Sequence, residues 1–322
     1  MNVSRSARQP GIDALRILGA VLVVGLHVGA FPEWPHWLMA TSRAAGRWVV
    51  PFFFVVMGYF VGIRPSWRQP AGAALQRVWR LVVVWNVIYA GALVLMVGLG
   101  PAVERIVSSA TITRGVWGPL WFLHSALAAL LVVYLLPAWL ASRWAWLLIA
   151  AMLMVCSAVD SLTLLRRVSW EVMYVSRFVG GIGLVWLGVK LASIPSHVLS
   201  RRWPHLLMVG LLLGLVQAYL LYRRAGAPTE LQMPVGAMLC GVAAMGAGFA
   251  LPSSPSAERM ADWGRRLALG IYLLHPLMIE TLRALDISRS DALWAAAAGL
   301  SIGALLVLER WLPGAKARLD GQ

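Results

Sequence analysis

Apolar runs near the length a helix needs to cross a bilayer, about 20 residues, recur from one end of this chain to the other. That recurrence excludes most folds. Of the 322 residues, 60% are hydrophobic and 13% charged. A water-soluble domain of this length would lack the polar residues to cover its surface. The pattern implies an all-α fold: a polytopic membrane helical bundle of about ten transmembrane helices, forming a single integral membrane domain over residues 1–322. The predicted spans are 12–31, 47–63, 78–99, 119–140, 144–159, 172–194, 203–222, 232–251, 265–284 and 292–311. Segments such as "RPSWRQPAG" and "LPSSPSAERMADWGRR" read as loops by their Pro, Gly and charge content. The first run has Arg5 and Arg8 before it, as a signal peptide would, but Arg16 and His27 interrupt it and many spans follow. It is read as a retained helix. Cys156 and Cys240 both fall in apolar runs and suggest neither a disulfide framework nor a metal site.

A formal net charge of +15 raises the possibility of nucleic-acid binding, but the cations are scattered between apolar runs rather than gathered in an arm or patch. Topology accounts for them better. Of the 28 Lys and Arg residues, sixteen fall on the side of the two chain ends and ten on the other, with Arg16 and Arg177 inside spans. The side with the surplus includes Arg64, Arg68, Arg77, Arg80, Arg265 and Arg266; the opposite side includes Arg43, Arg47, Arg105 and Arg114. The excess predicts both termini in the cytoplasm.

The stretch "DALRILGAVLVVGLHVGA" poses the chemical question, because Arg16 and His27 sit in an otherwise aliphatic run. They share one helix face, three turns and about 16 Å apart, with Asp13 and Ala20 near the same stripe. An ionisable residue within a membrane span is a functional candidate, facing the bundle or a watery cavity. The structural alternative is that Arg16 snorkels to lipid phosphates and His27 bonds a neighbouring helix. In "RRLALGIYLLHPLMIETL", His275 lies at a depth similar to His27, with Tyr272 one turn earlier. Two histidines without carboxylates or thiols at ligand spacing make a weak case for a metal. Arg177 lies near the outer end of the sixth span and needs a polar cavity or a partner, Glu171 or another carboxylate. His124 reads as a core histidine near the outer side. Trp34, Trp37, Trp48 and Trp117 read as an interfacial belt, and "RFVGGIGLVWLG" as a close-packing face.

Four stretches in order, "RILGAVLVVGLH", "RWVVPFFFVVMGYFVG", "LWFLHSALAALLVVYLLP" and "LGIYLLHPLMIE", resemble the acyltransferase 3 family of integral membrane O-acyltransferases over nearly the whole chain. One position departs from the family pattern: Met57 stands before Gly58 where a Ser is usual. The resemblance implies acetyl-CoA as a cytoplasmic acyl donor, no metal, and a hydroxyl of an envelope or exported carbohydrate (polysaccharide, glycolipid or lipid-linked sugar) as acceptor. It implies a multi-pass protein of the bacterial inner membrane. On that footing Arg16 would hold the donor phosphates, helped by Arg64, Arg68, Arg77 and Arg80. His27 would be the general base on the acceptor hydroxyl, or would carry the acyl group itself. His275 would orient His27, stabilise the oxyanion or handle a second proton, and Arg177 would bind the acceptor or stabilise the oxyanion. Two rivals remain: a secondary transporter, in which intramembrane His and Arg relay protons, and a non-catalytic partner in surface polysaccharide export.

Overall fold

The computed structural model describes residues 9–29, 31, 33–35, 46–225 and 231–321. Arg5, Arg8, Trp37 and Arg43 lie outside the described residues. Among those described there is no strand. The helices are α1 (Pro10–Val28), α2 (Val49–Gly62), α3 (Arg68–Val97), α4 (Leu99–Ile106) and α5 (Ala110–Arg114). A 3-10 turn (Gly118–Leu120) leads into α6 (Trp121–Leu135), followed by α7 (Pro137–Ala141), α8 (Trp144–Leu164), α9 (Trp170–Leu191) and α10 (Ser196–Ala225). The chain continues with α11 (Val235–Ala250), α12 (Pro255–Ala284), α13 (Ser290–Trp311) and α14 (Pro313–Leu319).

Among the described residues, eight helices are long and apolar enough to cross a membrane: α1, α3, α6 with its entering turn, α8, α9, α10, α12 and α13. α2 and α11 are shorter apolar helices of 14 and 16 residues. Each of the ten predicted spans overlaps one of these ten helices. The surface confirms the medium. Leu95 is 89% exposed and Leu215 68%, and apolar side chains like them ring the bundle. In water each would forgo about 1.5–3 kcal/mol of burial, whereas hydrocarbon imposes no such penalty.

Span limits differ from expectation where helices begin in polar sequence. α3 starts at Arg68, so Arg68, Arg77 and Arg80 ride on its first turns rather than on a loop. α12 starts at Pro255 and takes in the last twelve residues of a segment read as a loop by its Pro, Gly and charge content. Those residues are a start signal here. Pro255 occupies a first-turn position where no N–H is needed, and Ser254 Oγ accepts from the Ala257 N–H at 3.2 Å. α8 runs on to Leu164, past Asp160, where the predicted span stopped at 159.

Glycine brings the central helices together. A Cβ on Gly58 of α2 would strike the Val185 carbonyl of α9, and one on Gly188 of α9 would strike the Val55 carbonyl of α2. The two backbones therefore cross in direct contact, as small residues permit in membrane helices. Gly181 and Gly180 face Phe54 and Cys156 in the same way, so "RFVGGIGLVWLG" is a close-packing face. Gly264 of α12 abuts the Asp13 backbone of α1, which fixes α12 alongside the helix that carries Arg16 and His27. Of the proposed tryptophan belt, Trp34, Trp48 and Trp117 are half-buried, against Phe31, Phe52 and Tyr89 respectively.

Candidate active site

Two cavities lie at successive depths along α1. The first, about 410 Å³, is enclosed by α1, α2, α3, α6 and α12 around Arg16. Its wall carries Arg16, Arg64, Arg77 and Arg265, with Phe53, Met57 and Phe60 contributing apolar surface. Arg16 donates to Asp13 Oδ1 at 2.7 Å, and Arg265 reaches Asp13 Oδ2 at 3.5 Å. One carboxylate thus orients two guanidinium groups at the cavity mouth. The Arg16 guanidinium also lies over the Phe60 ring, 5.4 Å from its centroid. Arg77 donates from Nε to the Asp320 carbonyl at 2.9 Å, a tie to the segment after α14. Of the cations expected to help Arg16, Arg64 and Arg77 line this cavity. Arg68 instead stacks over Tyr134, 5.1 Å from the centroid, and Arg80 is not part of the wall. Arg265 was not singled out from sequence. It follows a loop-like stretch that α12 turns into helix.

The second cavity, about 270 Å³, is lined by His27, Arg47, Trp121, Trp170, Tyr174, Arg177 and Gln232, among others. Its wall is polar and aromatic. Among the described residues, Tyr272 lines both cavities. Its hydroxyl donates to the Pro119 carbonyl at 2.9 Å, which pins the ring between them.

His27 and His275, expected at similar depths, come together with ring centroids 4.8 Å apart. His27 opens onto the second cavity, while His275 is fully buried behind it. Each ring is oriented by its own helix. His27 Nδ1 donates to the Val23 carbonyl at 3.0 Å and His275 Nδ1 to the Ile271 carbonyl at 3.1 Å. A carbonyl only accepts, so Nδ1 carries hydrogen on both rings. In a neutral imidazole the Nε2 then keeps the lone pair. His275 Nε2 is buried without a hydrogen-bond partner. Pro276 inside α12 supplies no N–H to the Tyr272 carbonyl one turn back, so the helix ladder is interrupted beside the histidine pair.

Arg177 is buried in the wall of the second cavity. Its carboxylate partner is Asp160 of α8, at 3.8 Å, and not the exposed Glu171. One Arg177 terminal nitrogen also contacts Met173 Sδ at 3.0 Å, the guanidinium lies 5.5 Å from the Tyr174 ring centroid, and Nε has no hydrogen-bond partner. Asp160 Oδ2 accepts from the backbone N–H groups of Gln232 and Met233 at 2.7 and 2.9 Å. The buried aspartate therefore ties α8, α9 and the entry to α11 into one wall. Gln232 extends that wall by accepting from Arg47. Sequence reasoning missed Asp160, Arg47 and Gln232. A charge at the end of an apolar run looks like the end of a span.

His124 belongs to neither cavity. Its Nδ1 donates to the Ile112 carbonyl at 2.9 Å and its Nε2 accepts from Asn86 Nδ2 at 3.0 Å. Asn86 also accepts from the Val116 N–H at 2.9 Å. The pair fastens the segment around α5 to α3 and α6, as expected of a structural histidine.

A cationic chamber, a chamber holding a base nitrogen, and an aromatic side chain between them can bind a polyanion on one side and deprotonate a hydroxyl on the other. Among known families, the acyltransferase 3 family, described as an acyltransferase domain, matches residues 9–308. No curated protein and no solved structure matches the chain.

Proposed function

The chain belongs to the acyltransferase 3 family, and on that premise we propose that it is an O-acetyltransferase that moves an acetyl group from acetyl-CoA to a hydroxyl of an envelope or exported carbohydrate. The observation that carries this reading is the pair of chambers meeting at Tyr272, cationic around Arg16 and base-bearing around His27. CoA is a polyanion that cannot cross a bilayer, and Arg16, Arg64, Arg77 and Arg265 form a wall suited to its phosphates. The Arg16 end would face the cytoplasm of a bacterial inner membrane, in keeping with the cation surplus on that side. Size and motif spacing also resemble the O-acetyltransferase that decorates enterobacterial common antigen, in keeping with a glycan acceptor.

In the proposed reaction His27 Nε2 takes the proton of the acceptor hydroxyl as its oxygen attacks the thioester carbonyl. The C–S bond breaks, a C–O ester bond forms, and the proton leaves with the CoA thiolate. His275, in ring contact with His27, would steady the imidazolium's position or accept through its unpartnered Nε2. Arg177 would hold the acceptor or the oxyanion. The alternative in which His27 briefly carries the acetyl group uses the same nitrogen.

The test is acetyl-CoA turnover by the purified protein in proteoliposomes, together with ester-linked acetyl on surface glycans of cells with and without the gene. The reading expects CoA release dependent on a carbohydrate acceptor and loss of one acetyl ester. No change in any glycan, glycolipid or secreted polymer would remove it.

A further inference from the structure

Arg16 and His27 sit on one face of α1, yet they do not share a chamber. Three rings from three helices pack together where the chambers meet at Tyr272: Phe53 of α2, Phe122 of α6 and Tyr272 of α12. Their centroids are 6.4 Å apart for Phe53–Phe122, 6.5 Å for Phe53–Tyr272 and 5.1 Å for Phe122–Tyr272. These are the separations of packed aromatic pairs. Phe53 and Phe122 line the cationic chamber, and Tyr272 lines both. Tyr272 is 3% exposed and its hydroxyl is held by Pro119 in the far wall, so it cannot swing aside without losing that bond. One turn beyond Tyr272 on α12 stands His275, in contact with His27. A thioester entering from the Arg16 side must therefore pass this layer to reach the base.

We propose that Phe53, Phe122 and Tyr272 set the length of acyl group this protein transfers, by leaving only a short acyl group room to reach His27. The proposal rests on the acyl-transfer reading above and deepens it. The layer has a second consequence: it keeps water from the His27 chamber off a thioester waiting on the Arg16 side. Loosened, it would let water add to the thioester carbonyl, with the C–S bond breaking to give a carboxylic acid and the CoA thiol.

Phe53→Leu and Phe122→Leu keep an apolar side chain and should fold; Phe122→Ala opens the layer further. The readout is kcat/KM with acetyl-CoA and hexanoyl-CoA as donors, and CoA release without acceptor. The expected result is a rise of about tenfold or more in the hexanoyl-to-acetyl ratio, the scale on which pockets discriminate by chain length, with increased acceptor-independent CoA release. An unchanged ratio in a folded variant overturns the proposal. A second measurement does not depend on turnover. His27→Cys is treated with a membrane-impermeant thiol reagent added on the face that carries Arg16; Cys156 and Cys240, both buried, serve as background in the parent protein. With the three rings intact the new thiol should stay unreacted, and with Phe122→Ala it should label. Labelling behind intact rings overturns the partition even if acyl-CoA is turned over. If no acyl-CoA is turned over by the parent protein, the transfer reading fails, while the labelling still decides whether the layer separates the chambers.

Discussion

The chamber around Arg16 and the chamber around His27 have contrasting walls. Around Arg16 the wall offers four guanidinium groups on an apolar background, two of them oriented by a single carboxylate, Asp13. Under the proposed function such a wall would bind charge at a distance from the reacting bond. Around His27 the wall offers one lone-pair nitrogen, the buried Arg177 and aromatic faces, with Asp160 locking the frame behind them. That cavity is the smaller of the two, about 270 Å³, and under the proposed function it would position the groups that make the bond. The difference teaches that polar residues spaced along one helix can divide labour when a layer of rings separates them.

The largest effect should come from the second chamber. A positioned general base contributes about 10²–10⁴-fold, so His27→Ala should lower kcat by that factor while donor affinity stays near normal. Steady-state turnover against acetyl-CoA titration checks it. Next, Arg177→Ala should abolish most transfer, about 10²-fold for a lost oxyanion or acceptor contact, and leave acetyl-CoA binding intact. Equal weakening of donor binding would move Arg177 onto the donor path, and unfolding in detergent would make it structural. In the first chamber, Arg16→Ala should act mainly on KM. The loss of a charged contact worth about 1.5–3 kcal/mol corresponds to a rise of about 10–150-fold, with kcat less affected. Arg16→Lys should recover part of that affinity and not all, since a point charge replaces a bidentate fork. The smallest perturbation is topological: tags at residues 2 and 320 should both report the cytoplasm. A periplasmic signal from either end would break the ten-span arrangement.

Much of this arrangement could be read from the chain, for identifiable reasons. Helix existence followed from long apolar runs, and the similar depth of His27 and His275 was legible on two spans, but their ring contact needed the packing of α1 on α12. What failed to show had two causes. Polar residues at helix ends looked like loops, which hid the first turns of α12 before Arg265 and cut the fifth span one residue before Asp160. The structure carries α8 onward because Asp160 gains two backbone N–H bonds and an arginine, enough to bury a carboxylate. The ring layer was hidden for a different reason. Phe53, Phe122 and Tyr272 are unremarkable aromatic residues in apolar runs, and only the packing of α2, α6 and α12 brings them together. Met57 shows the same limit: its departure from the family pattern was visible, but its place in the wall of the Arg16 chamber was not.

The claim that binding and chemistry reside in different chambers is tested most directly by titrating acetyl-CoA into folded His27→Ala and Arg16→Ala and measuring turnover on the same samples. The account predicts near-normal donor affinity with collapsed kcat for His27→Ala, and weakened affinity with kcat largely kept for Arg16→Ala. Matching losses of affinity in both variants, or near-normal kcat in His27→Ala, would contradict it.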